Sequence, residues 1–226
     1  MNVIITGSQK RDIGKTIITI TTAIEISKSG KNVLMMDLSS GKIKISEYLN
    51  VHENFIYDAA DVFNDICTLE QAVIEINENL HLLPCPRILG KIDAISKESF
   101  VKLLEFTKDY DAVIIDADKL THSYLDFSKI QNVLSINNND FSCIKEVNTD
   151  RIISSKSLNF IAAINKYNKK KANKGLMMKF KDIKRLTQIS DIIVIEDSDK
   201  FSNVEYNMFF NSTMHNEIQE IVKNLK

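Results

Sequence analysis

The stretch that most constrains this chain is residues 3–16. Val3-Ile4-Ile5-Thr6 passes through a polar loop into Gly14-Lys15-Thr16 and then into a segment of helical apolar period. A buried strand, a loop and a helix in that order turn backbone N–H groups toward a helix N-terminus. A lysine and a hydroxyl stand beside them, which are the parts that hold terminal phosphates and a magnesium ion. Gly14, Lys15 and Thr16 supply those parts. The strict phosphate-loop pattern fails at Gln9, where its first glycine belongs, so the strand before and the helix after carry the reading.

The rest of the chain repeats the alternation. Short Val/Ile-rich runs at residues 3–6, 32–36, 80–83, 112–116, 132–136, 159–165 and 191–195 predict buried parallel strands. Residues 14–29, 97–108, 141–154 and 213–226 carry apolar side chains three and four apart and predict helices. The expected fold is α/β: a three-layer, doubly wound, mostly parallel sheet of about seven or eight strands with helices on both faces, formed by residues 1–226 as a single domain. Two of the runs, Val33-Leu34-Met35-Met36-Asp37 and Ala112-Val113-Ile114-Ile115-Asp116, end in carboxylates at the edge of the sheet where α/β folds bind ligands. Either aspartate alone reads as a helix N-cap. Together with Gly-Lys-Thr they read as partners of Thr16 around magnesium and phosphate.

Composition excludes several other chemistries. The 29 basic and 30 acidic residues nearly cancel, so the overall charge calls for neither nucleic acid nor an anionic membrane. Cys67, Cys85 and Cys143 form no Cys-x-x-Cys pair, and His52, His81, His122 and His215 fall at no metal-ligand spacing. No apolar run is long enough for a membrane-spanning helix, and no signal-peptide layout opens the chain, so the expected location is the cytoplasm. The lysine-rich, least regular tract at residues 166–185 carries charge that could meet nucleic-acid phosphates non-specifically. Its lack of aromatic platforms apart from Tyr167 favours a solvated loop instead.

With these residues in view, the sequence resembles the MinD/ParA family of P-loop ATPases, its MinD branch most closely. Lys10 through Thr16 is similar to the family's deviant Walker A loop, in which a lysine at the Lys10 position reaches the partner's nucleotide across a dimer interface. Asp37 matches the first aspartate of the Asp-x-Asp motif, Asp116 the Walker B aspartate, and Asn165 the position of an adenine-contacting asparagine. Asp58-Ala59-Ala60-Asp61-Val62-Phe63 with Thr68-Leu69-Glu70-Gln71-Ala72-Val73 is similar to the MinD branch's middle segment. The resemblance implies an ATP-dependent dimerising switch that positions or regulates machinery such as division, pilus or flagellar assemblies. It implies ATP or ADP with Mg2+ as cofactors, a homodimer on ATP binding and a regulatory protein partner. Nucleotide is expected at Gln9, Lys10, Arg11, Asp12, Ile13, Gly14, Lys15, Thr16, Ile17 and Asn165. Metal is expected at Thr16, Asp37 and Asp116, and catalysis at Lys10, Lys15 and Asp37.

Four departures bear on that expectation. Arg11 and Asp12 replace loop glycines, Ile17 replaces a second threonine, Ser39 replaces the water-orienting aspartate, and Ala117-Asp118-Lys119 follows Asp116 where the family usually places proline soon after, with Asp118 a candidate partial substitute. Lys10 beside Arg11 and Asp12 also reads as an exposed loop lysine. Loss of the carboxylate at Ser39 makes slow or absent hydrolysis the alternative, leaving a nucleotide-binding or nucleotide-free scaffold. A small-molecule ligase or kinase on the same scaffold is a third class, and Asn165-Lys166-Tyr167-Asn168 falls short of a guanine-selecting motif. The helix at residues 213–226 reads as one that finishes the domain, which argues against membrane attachment through it.

Overall fold

A computed structural model describes residues 1–88, 90–92, 95–189, 192–197, 209 and 215–226. Eight strands form one sheet in the order β3-β4-β2-β5-β1-β6-β7-β8. They are β1 (Asn2–Gly7), β2 (Val33–Leu38), β3 (Ile74–Asn77), β4 (Leu80–Leu83), β5 (Ala112–Ala117), β6 (Asn132–Asn138), β7 (Asn159–Tyr167) and β8 (Ile192–Glu196). All neighbours run parallel except β3 and β4. The strands with buried neighbours on both sides are the continuous apolar runs. β2 and β5 have no exposed position at all, which is why they read so clearly in sequence.

The eight strands agree with the expected count of about seven or eight, but the edge strand β3 is one that no apolar run in the sequence marked. Ile74-Glu75-Ile76-Asn77 pairs on one side only and exposes Glu75 and Asn77, so it lacks the apolar density of its neighbours. Residues 166–185 are likewise more regular than expected. β7 extends to Tyr167, and the tract holds helices over Lys169–Asn173 and, from Phe180, over Phe180–Thr187. The predicted strand residue Asp191 and helix residues Thr213 and Met214 lie outside the described residues.

One face of the sheet is covered by α1 (Lys15–Ser27) and by the helix His215–Asn224. Ile20, Ala23 and Ile24 pack on Ile4, Met35 and Ile114, while Ile18, Ile218 and Ile221 pack on Leu134, Ile136 and Ile161. Each isoleucine removed from water here contributes about 1.5–3 kcal/mol. The opposite face is covered by shorter helices and by Lys97–Phe106 and Phe141–Ile153. There Phe100, Leu103 and Leu104 meet Val113 and Ile115, and Ile144 and Val147 meet Ala162 and Ile164. The register aligns Thr6 with Asp116 and Asp116 with Asp37. Three adjacent central strands therefore carry polar side chains one residue before their ends, at the same height and beneath the N-terminus of α1.

Candidate phosphate-binding site

The loop between β1 and α1 closes with Gly14 at φ 92°, a left-handed conformation. A Cβ there would collide with the Asn165 amide nitrogen, so the glycine is needed for backbone direction and for space. Asp12 also lies at φ 56°. The aspartate that replaces a loop glycine thus takes the backbone region glycine favours, which aspartate tolerates better than most side chains.

A cleft of about 330 Å3 opens over this loop, lined by Arg11, Asp12, Gly14, Lys15, Thr16, Ile17, Asp116 and Asp118, and by residues 39–43 and Tyr48. Thr16 Oγ1 donates to Asp116 Oδ2 at 2.6 Å, and Thr19 Oγ1 lies 3.5 Å from Asp116 Oδ1. Burial, followed by the neighbouring Asp37 charge, pushes the Asp116 carboxyl up to about 7. Asp37 is fully buried beside it and is also raised by burial, although the N–H groups of Ser39 and Ile45, at 3.0 and 2.9 Å, and the Ser39 hydroxyl, at 2.7 Å, all donate to it. Burial lowers the Lys15 pKa, with Asp116 and Asp118 opposing it. Its ammonium donates to the carbonyl of Lys10 across the loop. Two carboxylates and an ammonium are therefore held out of water at a helix N-terminus.

The expected residues divide into two groups. Arg11, Asp12, Gly14, Lys15, Thr16, Ile17 and Asp116 line the cleft, whereas Gln9, Lys10, Ile13, Asp37 and Asn165 do not. Gln9 donates to the buried Asp150 Oδ1 at 3.2 Å, and Asp150 also accepts from Ser135 Oγ at 2.6 Å. Asn165 Nδ2 donates to the Ile13 carbonyl at 2.8 Å, and its Oδ1 accepts from Lys166 N–H at 2.9 Å. Lys10 is half-buried, with its N–H on Ser8 Oγ. Asp37 stands behind the cleft, where it holds the β2 loop and the first N–H of the short helix Ile45–Tyr48.

Sequence reasoning missed two features of this site. Tyr48 reaches the cleft wall from that short helix and stacks edge-on against Phe209, with no local signal to mark it. Ser40 Oγ and His122 Nε2 both donate to Asp118, and Arg11 donates to Ser40 Oγ at 3.5 Å. Burial alone would raise Asp118, but the His122 and Ser40 hydrogen bonds hold it well below the usual carboxylate range. The positions of Asp118 and His122 just after a strand-ending aspartate were the only visible hint.

The donor set fits a magnesium ion. Mg2+ keeps several waters and takes one or two protein oxygens plus substrate phosphates, and Thr16 with Asp116 supplies such a pair. Among the described residues no group of three or more His, Cys, Asp or Glu side chains could cage a metal without a ligand's help. Mg2+ would enter with phosphate.

No family model matches the chain. It is 33% identical over 117 residues to the septum site-determining protein MinD of Synechocystis, a match covering 50% of this chain and 44% of that protein. The chain thus spans less than half the length of that relative. It is 27% identical over 212 residues to MinD of Thermotoga maritima, covering 88% of this chain and 76% of that one. In sequence the chain is thus similar to MinD proteins of the MinD/ParA family. Its fold is that of the MinC:MinD cell division protein complex of Aquifex aeolicus, with a TM-score of 0.82, 20% identity and coverage of 99% of this chain and 96% of that one. It is also that of MinD complexed with Mg-ADP from Pyrococcus horikoshii, with a TM-score of 0.79, 15% identity and coverage of 98% and 95%. Among the described residues no helix of the chain is long and apolar enough to cross a membrane.

Proposed function

We propose that this chain is an ATP-dependent switch of the MinD/ParA kind, with residues 1–226 acting as one nucleotide-binding domain that positions cellular machinery such as a division or partition apparatus. The observation that carries the reading is the Thr16–Asp116 hydrogen bond at the N-terminus of α1, with Lys15 beside it and Asp37 aligned behind it. Supporting it are the MinD relatives and a MinD neighbour whose structure holds Mg-ADP.

In this reading Lys15 binds the terminal phosphates, and the N–H groups of the loop and of the start of α1 surround them. Thr16 and Asp116 hold Mg2+, which supplies charge neutralisation to the phosphates when bound. Asp37 fixes the β2 loop behind them. Two chains meet across their nucleotides, Lys10 of each contacting the other's phosphates, and hydrolysis separates them. A protein partner of the kind seen in the MinC:MinD complex reads the nucleotide state.

The test is light scattering of the purified chain with excess ATP and Mg2+, with ADP and Mg2+, and with neither, repeated on Lys10→Ala. The expected result is a dimer with ATP alone, lost in Lys10→Ala. A monomer that binds ATP and stays monomeric overturns the switch while leaving nucleotide binding intact.

A further inference from the structure

If the cleft binds ATP, something must orient the water that attacks it. Ser39, at the position the family fills with a carboxylate, has no charge to offer, and its hydroxyl is committed to the buried Asp37 at 2.7 Å. Asp37 itself lies outside the cleft lining. Three carboxylates do line the cleft: Asp12, Asp116 and Asp118. Asp116 is engaged with Thr16, and Asp12 sits exposed on the phosphate loop itself. Of the two that remain once Asp116 is set aside with Thr16, only Asp118 has an orientation fixed by hydrogen bonds from other loops.

That orientation comes from two sides. Ser40, from the loop after β2, donates to one carboxylate oxygen, and His122, from the loop after β5, donates to the other. The His122 ring stacks on Tyr124 with centroids 5.0 Å apart and planes at 16°, and Tyr124 packs on the fully buried Phe100 at 5.8 Å. Arg11 of the phosphate loop reaches Ser40, so three loops around the cleft converge on one carboxylate. A carboxylate has about four acceptor positions and two are filled here, leaving capacity for a water. Asp118 is also close enough to Lys15 for its charge to act on the ammonium.

We propose that Asp118 orients the attacking water in this chain, taking the place of the carboxylate that Ser39 lacks, and that His122 is its positioning residue. The proposal rests on the ATP-binding reading above. In the step concerned, the water oxygen bonds the γ-phosphorus while the bond from that phosphorus to the β–γ bridging oxygen breaks. ADP leaves with the electron pair, and the water's proton passes to a phosphate oxygen and then to solvent. Asp118 accepts a hydrogen bond from the water, and pre-paid orientation of this kind is the main contribution a protein makes to phosphoryl transfer.

The experiment measures multiple-turnover phosphate release and, by calorimetry, Mg-ATP affinity on the full chain, Asp118→Asn, His122→Phe and His122→Gln. Asp118→Asn is expected to lower kcat about 10- to 100-fold with the ATP Kd within about threefold of the parent. His122→Phe keeps the stack on Tyr124 but loses the donor, and kcat falls about 3- to 10-fold. His122→Gln, which keeps a donor, recovers part of that loss, which a purely structural role would not produce. Retained ATP binding shows that each variant is folded. Asp118→Asn turning over within twofold of the parent overturns the proposal, as does a parent that binds Mg-ATP and releases no phosphate. A parent that binds no Mg-ATP removes the ATP-binding reading too, and the calorimetry tells that failure apart from the others.

Discussion

On the β2–β5 side of the phosphate loop, Asp37 and Asp116 lie side by side out of water, and Lys15 is desolvated beside them. On the β6–β7 side the polar groups around the loop partner one another: Asn165 holds the Ile13 carbonyl, and Gln9 and Ser135 hold Asp150. The first flank carries charges whose burial is compensated only in part within the protein, so it gains from a ligand that brings a cation and an anion together. The second is held mainly by hydrogen bonds within the chain and gives the loop its shape, although burial raises the Asp150 pKa and the side-chain oxygens of Asn137, Asn138 and Asn139 are buried without a partner. Binding and scaffolding are divided between the two sides of one loop.

The largest expected effect separates the flanks by affinity. Lys15→Ala should weaken Mg-ATP binding at least about 100-fold, roughly 3 kcal/mol, with little loss of thermal stability, because it removes a buried ammonium as well as a phosphate ligand. Calorimetry alongside a thermal melt measures both. Asp116→Asn should abolish the Mg2+ dependence of binding and raise the stability of the nucleotide-free protein by up to about 4 kcal/mol at pH 8, or about 8–16 °C in Tm.

The sign follows from linkage. Asp116 has a folded pKa of about 7 against 3.8 for the free group. The folded state holds the proton more tightly, so this group's contribution is complete below about pH 4 and is lost as pH rises through 7. The gap in stability between Asp116→Asn and the parent should therefore widen from pH 4 to pH 8. A constant gap would mean that Asp116 is not desolvated as the structure has it.

On the other flank the order reverses. Asn165→Ala strands the buried Ile13 carbonyl and the Lys166 N–H and should cost about 1–3 kcal/mol of stability. Its effect on ATP affinity should be only a few-fold, through a looser loop. Smallest of all is the change at Asp12. Asp12→Val should cost about 1–2 kcal/mol because a β-branched residue resists φ 56°, whereas Asp12→Gly should stay within about 1 kcal/mol of the parent. Chemical denaturation resolves both differences.

The two flanks also differed in how far sequence could reach them. The phosphate loop, the two strand-ending aspartates and seven of the eight strands follow from local apolar runs and from Gly14-Lys15-Thr16, because buried parallel strands and a helix N-terminus leave short-range marks. β3 escaped because an exposed edge strand needs only half an apolar pattern. The Gln9–Asp150 and Asn165–Ile13 bonds span 141 and 152 residues and join side chains of no distinctive spacing, so only the folded chain shows them. The same holds for Ser40 on Asp118, 78 residues apart. Local chemistry was legible, and the contacts that orient it were not.

The most direct test of the account is a calorimetric titration of the unmodified chain with ATP, performed with Mg2+ and again with the metal chelated. Saturable binding with Mg2+ that weakens at least tenfold without it is the predicted result, since the half-buried Thr16 with the buried Asp116 requires the cation to accept a phosphate beside it. No binding under either condition, or binding indifferent to Mg2+, would contradict the assignment of the β2–β5 flank as the nucleotide site.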